Sequence, residues 1–386
     1  MSDAAPVVRT TRMRIAILLG LLLLGWATVR ATALALFAED RPRLAMVFEP
    51  AGAAALANAA QMRIVETGGT VDAVARAQAA AALRRAPRDA APLILAGLAA
   101  SADGAADRAQ ALMEAARARD PRAGIARYWL LDHYVRTGQG NAALAEVGPA
   151  LRLRPGTRTA IFALVSAMAA SPDMRGPVRA ALARDPDWRE SFFAMQATAN
   201  VDPVVLVHLL ASLPPPADAA ARARERRVVL LAAVRAGAYA EAETLWQAAR
   251  PATARETGPV HDPMFRRPLA DTPFDWTAPD VVGMQAQTGR DGLTVAYRGE
   301  TPATVAQQLV PGAGRYRLSA RATGGVEVRL SCARDESPLV ALPAGGDAVD
   351  ATIPARCGAA WLRVVATPGD TGIVNATIAN VQLIRA

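Results

Sequence analysis

Three prolines stand at equal distances along the middle of the chain. Pro87, Pro121 and Pro155 are each 34 residues apart. Proline ends helices, because its ring removes a backbone donor and clashes with the preceding turn. A sequence period of roughly 20–50 residues is typical of arrays in which stacked units share one core. The spacing therefore predicts a stack of helical hairpins.

Small residues recur at fixed positions relative to these prolines. In each clear unit, a glycine is followed five residues later by an alanine. Glycine closes a helix–helix turn, and alanine lets two paired helices approach closely. The repeat-defining residues are Gly97, Gly104, Ala109, Ala116, Pro121, Gly138, Ala143, Ala150, Pro155, Gly237 and Ala242. We expect five or six units over 44–252, with a degenerate stretch at 156–213.

This pattern resembles the tetratricopeptide repeat family over roughly half of the chain. The resemblance implies an α-solenoid that binds peptides or partner proteins on the face formed by the first helix of each unit, without catalysis. The sequence lacks the Asn/Lys/Arg clamp of some peptide-binding members. Tyr128, Trp129 and Tyr134 are the candidates for a partner face. The alternative is that these aromatic residues fill the core between repeats.

The N-terminus predicts insertion into a membrane. A head of residues 1–14 carries Arg9, Arg12 and Arg14, and an apolar stretch follows at 15–37, interrupted by Arg30. At about 1.5 Å per residue, this stretch covers about 34 Å, enough for a hydrocarbon core of about 30 Å. We expect a retained transmembrane helix. The alternative is a signal peptide cleaved near Ala33-Leu34-Ala35, and either interpretation exports the bulk of the chain.

The composition changes after the helical region. Residues 253–272 are expected to form a linker and the start of a second domain, and 273–386 a β-sandwich. Short alternating runs predict strands at 293–298, 305–310, 315–320, 326–332, 348–353, 361–366 and 373–384. Cys332 and Cys357 predict a disulfide and an oxidising compartment such as a periplasm; the alternative is two unrelated buried thiols.

A second resemblance rests on VAQQLVPGAGRYRLSARA and the closing TIANVQLIRA. These segments resemble the jelly-roll modules of the carbohydrate-binding, galactose-binding-like superfamily. The resemblance implies a non-catalytic module suited to glycan contact, with Trp276, Tyr297 and Trp361 as candidate aromatic platforms. The alternative is that these rings pack in or cap the sandwich core.

Common catalytic and nucleic-acid-binding patterns are missing from the sequence. The net charge of +8 comes entirely from scattered arginines, which does not indicate a nucleic-acid stripe. His133, His208 and His261 are too far apart for a paired-ligand motif, and no GxSxG, P-loop or GxGxxG occurs. Asp271 and Asp275, together with His261, are the remaining acid–base candidates.

The predicted fold class is α + β multidomain: a transmembrane helix, a solenoid resembling tetratricopeptide repeats and an antiparallel β-sandwich of jelly-roll type. We expect a non-catalytic scaffold of the bacterial inner membrane, single-pass with its bulk periplasmic, that binds partner proteins in envelope or exopolysaccharide assembly or export. Secretion after signal cleavage is the alternative location. The alternative functions are glycan binding by the sandwich and an unrecognised enzyme. Neither a cofactor, nor a metal, nor nucleic acid is expected.

Overall fold

The computed structural model describes residues 5–37, 44, 47, 49, 52–199, 201–250, 258–369 and 372–386. The chain divides into two compact units, 1–161 and 162–386. Helices occupy the N-terminal part and antiparallel sheets the C-terminal part, which confirms the predicted fold class.

The first helix, α1, spans Ala5–Phe37. Its segment Ile17–Phe37 has a mean hydropathy of 1.8 and is long enough to cross a membrane, a test that a signal sequence also passes. Arg30 pairs with Glu49 at 2.8 Å. Residues 1–4 of the predicted head, as well as Arg41 and Arg43 beyond the helix, lie outside the described residues, as do the side chains of Arg9, Arg12, Arg14 and Leu34. Retention or cleavage of this segment stays a prediction.

The remaining helices of the first unit form hairpins. They are α2 Ala53–Glu66, α3 Ala73–Arg85, α4 Ala90–Ala102, α5 Ala106–Arg119, α6 Gly124–Arg136 and α7 Gly140–Leu153. The period of 34 residues separates the starts of α4 and α6, and also those of α5 and α7. Pro121 and Pro155 follow the ends of α5 and α7.

Three hairpin turns share one backbone conformation. Gly104, Gly138 and Gly237 have φ angles of +75°, +75° and +79°. At each turn the next amide donates to a carbonyl five residues back, as from Gln139 to Tyr134 at 2.8 Å. Only glycine adopts this left-handed conformation without strain. The glycine spacing in the sequence therefore marks a repeated structural turn.

The small residues of the repeats lie where paired helices cross. Five of them are fully buried: Ala109, Ala116, Ala143, Ala150 and Ala242. A Cβ added to Gly97 would lie 3.0 Å from the Met113 Cε atom. Glycine at this position therefore allows α4 and α5 to pack closely.

The helices after residue 157 are less regular. They are α8 Arg158–Ala170, α9 Pro172–Ala183, α10 Arg189–Gln196, α11 Pro203–Ala211, α12 Ala219–Arg235 and α13 Tyr239–Ala248. Their lengths range from 8 residues in α10 to 17 in α12. Aromatic side chains fill the core between α8 and α10, where Phe162 and Phe192 meet edge to face at 5.6 Å. Helix α13 keeps the fully buried small residue Ala242.

Nine strands follow the helices in the described part of the chain. They are β1 Met284–Gly289, β2 Gly292–Arg298, β3 Ala303–Pro311, β4 Gly314–Thr323, β5 Val326–Cys332, β6 Pro338–Pro343, β7 Val349–Ile353, β8 Ala359–Ala366 and β9 Ile373–Arg385. One sheet has the order β1-β2-β9-β4-β7 and the other β3-β8-β5-β6. Leu293 and Ile378 of the first sheet share one core cluster with Val328 and Leu362 of the second. The domain is therefore sandwich-like. The seven predicted strands are present, and β1 and β6 are additional.

Cys332 and Cys357 form the disulfide that the sequence predicts, with their Cα atoms 5.1 Å apart. Both cysteines are fully buried. The bond ties the end of β5 to the short 3-10 turn Ala355–Cys357, which leads into β8. It therefore fixes one end of the second sheet.

The segment before β1 covers the edge of β3. Thr277 exchanges backbone hydrogen bonds with Gln307, at 2.8 and 2.9 Å. The fully buried Gln308 side chain bonds both the amide and the carbonyl of His261, at 2.8 and 2.9 Å. These contacts protect an edge strand that could otherwise pair with another chain. Residues 253–257 of the predicted linker lie outside the described residues.

Candidate functional site

The three aromatic candidates for a partner face lie on α6. Trp129 stacks on His133 with ring centroids 4.7 Å apart and donates from Nε1 to Ser101 Oγ at 3.2 Å. The Tyr128 hydroxyl donates to the Ala150 carbonyl at 3.0 Å. Tyr128 and Trp129 are half-buried, whereas Tyr134 is buried. Tyr134 therefore belongs to the repeat core, and the other two rings keep some exposed surface.

Tyr134 contributes to a polar network between α5 and α6. Its hydroxyl donates to Glu114 at 2.7 Å, and Gln110 donates to the same carboxylate at 2.9 Å. The hydrogen bond from Tyr134, followed by that from Gln110, holds the pKa of Glu114 below its usual range. Burial and the bond to Glu114 raise the pKa of Tyr134 to about 12. At neutral pH the carboxylate is charged and the phenol is protonated.

A second carboxylate ties three helices of the repeats together. Glu146 on α7 is only 2 % exposed. It accepts hydrogen bonds from Arg117 on α5 and from Arg127 on α6, the latter at 2.6 Å. Two guanidiniums around one carboxylate compensate for the loss of its hydration. This network holds the hairpins in place without presenting a reactive group.

Partly exposed apolar residues lie on the first helices of the two clearest repeats. Helix α4, with the sequence AAPLILAGLAASA, contains no charged residue. Ile94 on α4 and Tyr128 on α6 are one repeat period apart and both are half-buried, as is Leu98. Ile125, at the start of α6, is 41 % exposed. Ile94, Leu98, Ile125 and Tyr128 are hereafter called the apolar repeat face.

Two of the three candidate sugar platforms are buried in the sandwich. Trp276 is 3 % exposed and donates to the Asp262 carbonyl at 3.1 Å. Tyr297 is 5 % exposed and donates to the Thr301 carbonyl at 3.0 Å. Neither ring faces solvent, so both follow the core alternative. Trp361 is half-buried, and the guanidinium of Arg363 lies 5.7 Å from its ring centroid.

A neutral groove crosses the outer face of the five-stranded sheet. One row of directly opposed residues runs from Gln287 on β1 through Thr294 and Thr377 to Thr323 on β4. Gln285 and Asn375 flank that row, and the groove has a volume of about 330 Å³. None of the described residues that line it is charged. Amides and hydroxyls in such rows can hydrogen-bond a neutral, hydroxyl-bearing ligand. This groove, hereafter the neutral groove, was not predicted because β1 was not recognised.

Two of the three acid–base candidates contact helix α13 from the sandwich domain. Asp275 accepts hydrogen bonds from Trp246 at 2.8 Å and from Arg250 at 3.0 Å. The ring of His261 packs on Trp246 at 4.4 Å. Asp271 is apart from them, 3.3 Å from Arg227, and its side chain is 64 % exposed. The structure therefore brings Asp275 and His261 to the same tryptophan, where structural donors occupy the carboxylate.

Among the described residues, no group of three or more His, Cys, Asp or Glu side chains is placed to hold a metal ion. No family model matches the chain, and no curated protein matches its sequence. The resemblances to tetratricopeptide repeats and to carbohydrate-binding modules therefore stay predictions.

Proposed function

We propose that the protein is a non-catalytic, membrane-associated adaptor that binds a partner protein on the apolar repeat face. The single observation that carries this proposal is the charge-free helix α4, which leaves Ile94 and Leu98 partly exposed beside a regular hairpin repeat. Ile94 and Tyr128 are equivalent positions of successive repeats, which a regular solenoid places on one surface. The position equivalent to Leu98 is the exposed Asp132. The resemblance to tetratricopeptide repeats favours the same interpretation.

The chemistry of the face favours an apolar helix or peptide of the partner. The aliphatic and aromatic residues of the face suit the apolar side chains of such a segment. The Tyr128 hydroxyl needs no partner from it, because it already bonds the Ala150 carbonyl. The hydrogen bond from Trp129 to Ser101 holds α6 against the end of α4. The face is therefore preorganised, which lowers the cost of binding.

The proposed location is the outer side of a bacterial inner membrane. Helix α1 supplies a segment suited to an anchor, and the buried disulfide is typical of an oxidising compartment. Envelope or exopolysaccharide assembly is the process in which we propose that the adaptor acts. Its basis is the combination of a repeat array with a sandwich that resembles carbohydrate-binding modules.

Site-specific photocrosslinking in native membranes tests the adaptor function. A photoreactive amino acid replaces Leu98 or Ile125, and a matched control replaces the exposed Arg108 on α5. We expect one discrete adduct from both face positions and none from the control. Leu98→Glu is expected to suppress the adduct formed at position 125. Equal labelling from Arg108, or no adduct from the face, would contradict the proposal.

The neutral groove favours a second candidate function, which is recognition of a neutral saccharide by the sandwich. Calorimetry of the full chain in lipid nanodiscs, titrated with neutral envelope polysaccharide fragments, tests it. Asn375→Ala is expected to weaken binding about tenfold by removing an amide from the groove. Gln382→Ala, on the same strand but outside the groove, is the matched control. Equal affinities of the two variants would move the site elsewhere, and Trp361→Ala would then test the half-buried ring.

A further inference from the structure

A cavity lies among α11, α12, α13 and the loop Pro214-Pro215-Pro216. Its volume is about 310 Å³. Leu213 and Leu245 are buried apolar wall residues, and the exposed Ala248 lies at the edge. Ligand sites are typically concave, mostly apolar and roughly 300–1,000 Å³ in volume, so this cavity is at the small end of that range.

A buried ion pair forms the polar part of the wall. Arg189 and Glu225 are 1 % and 2 % exposed and share two hydrogen bonds, at 3.0 and 2.9 Å. Arg189 Nη1 also donates to the Pro214 carbonyl at 3.0 Å. Burial raises the pKa of Glu225, and the hydrogen bonds from Arg189 oppose that rise. The pair is neutral in sum and fixes the proline loop that closes the cavity.

Two further arginines of α12 also line the cavity. Arg222 is exposed and donates to the Pro216 carbonyl at 3.0 Å. Arg226, one turn later and half-buried, makes no hydrogen bond or ion pair with any residue in the described part of the chain. In contrast, Arg224 pairs with Glu190. The lining is therefore net positive, and no described residue pairs with the Arg226 guanidinium.

We propose that this cavity binds a small amphiphile with one anionic head. Its apolar chain lies between Leu213 and Leu245, where burial of aliphatic surface stabilises the complex. A carboxylate or phosphate head meets Arg226 and Arg222, because a guanidinium binds such groups through paired hydrogen bonds. The Arg189–Glu225 pair needs no counterion, so it does not compete for the head. The volume suits a single chain and not a folded peptide. This site is independent of the apolar repeat face.

Photoaffinity labelling of the full chain in lipid nanodiscs tests the proposal. The probes are a medium-chain fatty acid with a diazirine at its tail, the alkyl phosphate of the same length and the matching neutral alcohol. Labelled peptides are mapped by mass spectrometry. We expect an anionic probe to label residues 203–248 about tenfold more than the alcohol. The stronger labelling of the two anionic probes identifies the preferred head group as a carboxylate or a phosphate.

Three variants separate the parts of the site. Arg226→Gln is expected to reduce anionic labelling about tenfold, and Ala248→Phe, at an exposed edge position, to block the cavity. Arg224→Gln removes a charge from the same helix outside the lining and is expected to change nothing. Equal labelling by acid and alcohol, or equal effects of Arg226→Gln and Arg224→Gln, would contradict recognition of an anionic head group. If Ala248→Phe leaves the labelling intact, the cavity is not the binding site.

Discussion

The hairpins α4–α7 and the helices α8–α13 differ in what fills the space between helices. In α4–α7 the crossings are occupied by small residues at a fixed period, such as the fully buried Ala109 and Ala143. In α8 and α10 the same task is performed by Phe162, Phe192 and Phe193, which are also fully buried, whereas the α12–α13 hairpin keeps the small repeat residue Ala242. Small residues give close, repeated packing, whereas large rings give local packing that does not repeat.

The two regions also differ in how they bury charge. Glu146 in the regular hairpins contacts two arginines whose side chains are 33 % and 12 % exposed. Arg189 and Glu225 in the irregular region are both almost completely buried. A fully buried pair depends on each partner to compensate for lost hydration. The stability of the irregular region therefore depends on individual residues, whereas that of the regular hairpins depends on a repeated pattern.

Breaking the buried Arg189–Glu225 pair is expected to cause the largest loss of stability. Arg189→Met leaves Glu225 buried without its partner and is expected to cost about 3–5 kcal/mol of stability. The double variant Arg189→Met/Glu225→Leu removes both charges and is expected to recover most of that loss. Hydrogen exchange of α12 peptides in the full chain measures the change in local unfolding free energy.

The matched control for this pair is Arg224→Gln. Arg224 bonds Glu190 at 2.6 Å, but its side chain is 54 % exposed. An exposed pair contributes little to stability, because water already solvates both charges. Similar losses of protection in Arg189→Met and Arg224→Gln would show that the irregular region does not depend on its buried pair.

Overpacking a crossing of the regular hairpins is expected to have the next largest effect. Ala143→Leu adds a bulky side chain at a fully buried crossing and is expected to cost about 1–3 kcal/mol. Ala106→Leu makes the same change at an exposed position of α5 and serves as the control. Urea denaturation followed by far-ultraviolet circular dichroism measures both. Equal midpoints would mean that the small residues are not required for packing.

The sequence predicted most of the fold where residue type and spacing coincide. The period of 34 residues located the hairpins because glycine and alanine are needed at the same place in every unit. Strand β1 was missed because its pattern alternates half-buried and exposed residues, with none fully buried. Strand β6 was missed because prolines bound its apolar run at 338 and 343.

The candidate sites were harder to predict because they depend on tertiary contacts. Arg189 and Glu225 are 36 residues apart, and each has the local sequence context of a surface charge. Trp276 and Tyr297 could be assigned to solvent or core only once the sheets were known to cover them. The neutral groove required the register of β1 against β2, which no local pattern of the sequence contains.

A substitution in a hairpin turn is expected to cost less stability than overpacking a helix crossing. Gly138→Ala forces a Cβ into a left-handed conformation with φ of +75° and is expected to cost about 1–2 kcal/mol. Gly156→Ala is the control, because an added Cβ there meets nothing within 4 Å and its φ is not left-handed. The same denaturation measurement compares the two. A loss in Gly156→Ala as large as in Gly138→Ala would exclude turn strain as the cause.

The smallest expected effect is a pH dependence of the α5–α6 network. The folded pKa of Glu114 lies below its ordinary value of 4.5, so its stabilisation is present above that pH and is lost as the pH falls through the folded pKa. The pKa of Tyr134 rises from 10.0 to about 12, so its stabilisation is present below pH 10.0 and is lost as the pH rises toward 12.

Tyr134→Phe removes the titrating phenol together with the hydrogen bond that contributes most to the lowered pKa of Glu114. It is expected to lower stability by about 1 kcal/mol at neutral pH and to flatten the loss at both extremes. Hydrogen exchange of α5 and α6 peptides, measured across pH after correction for intrinsic rates, follows the change. Glu190→Gln is the control at an exposed pair in the irregular region. An unchanged pH profile in Tyr134→Phe would place the titrating groups of the hairpins elsewhere.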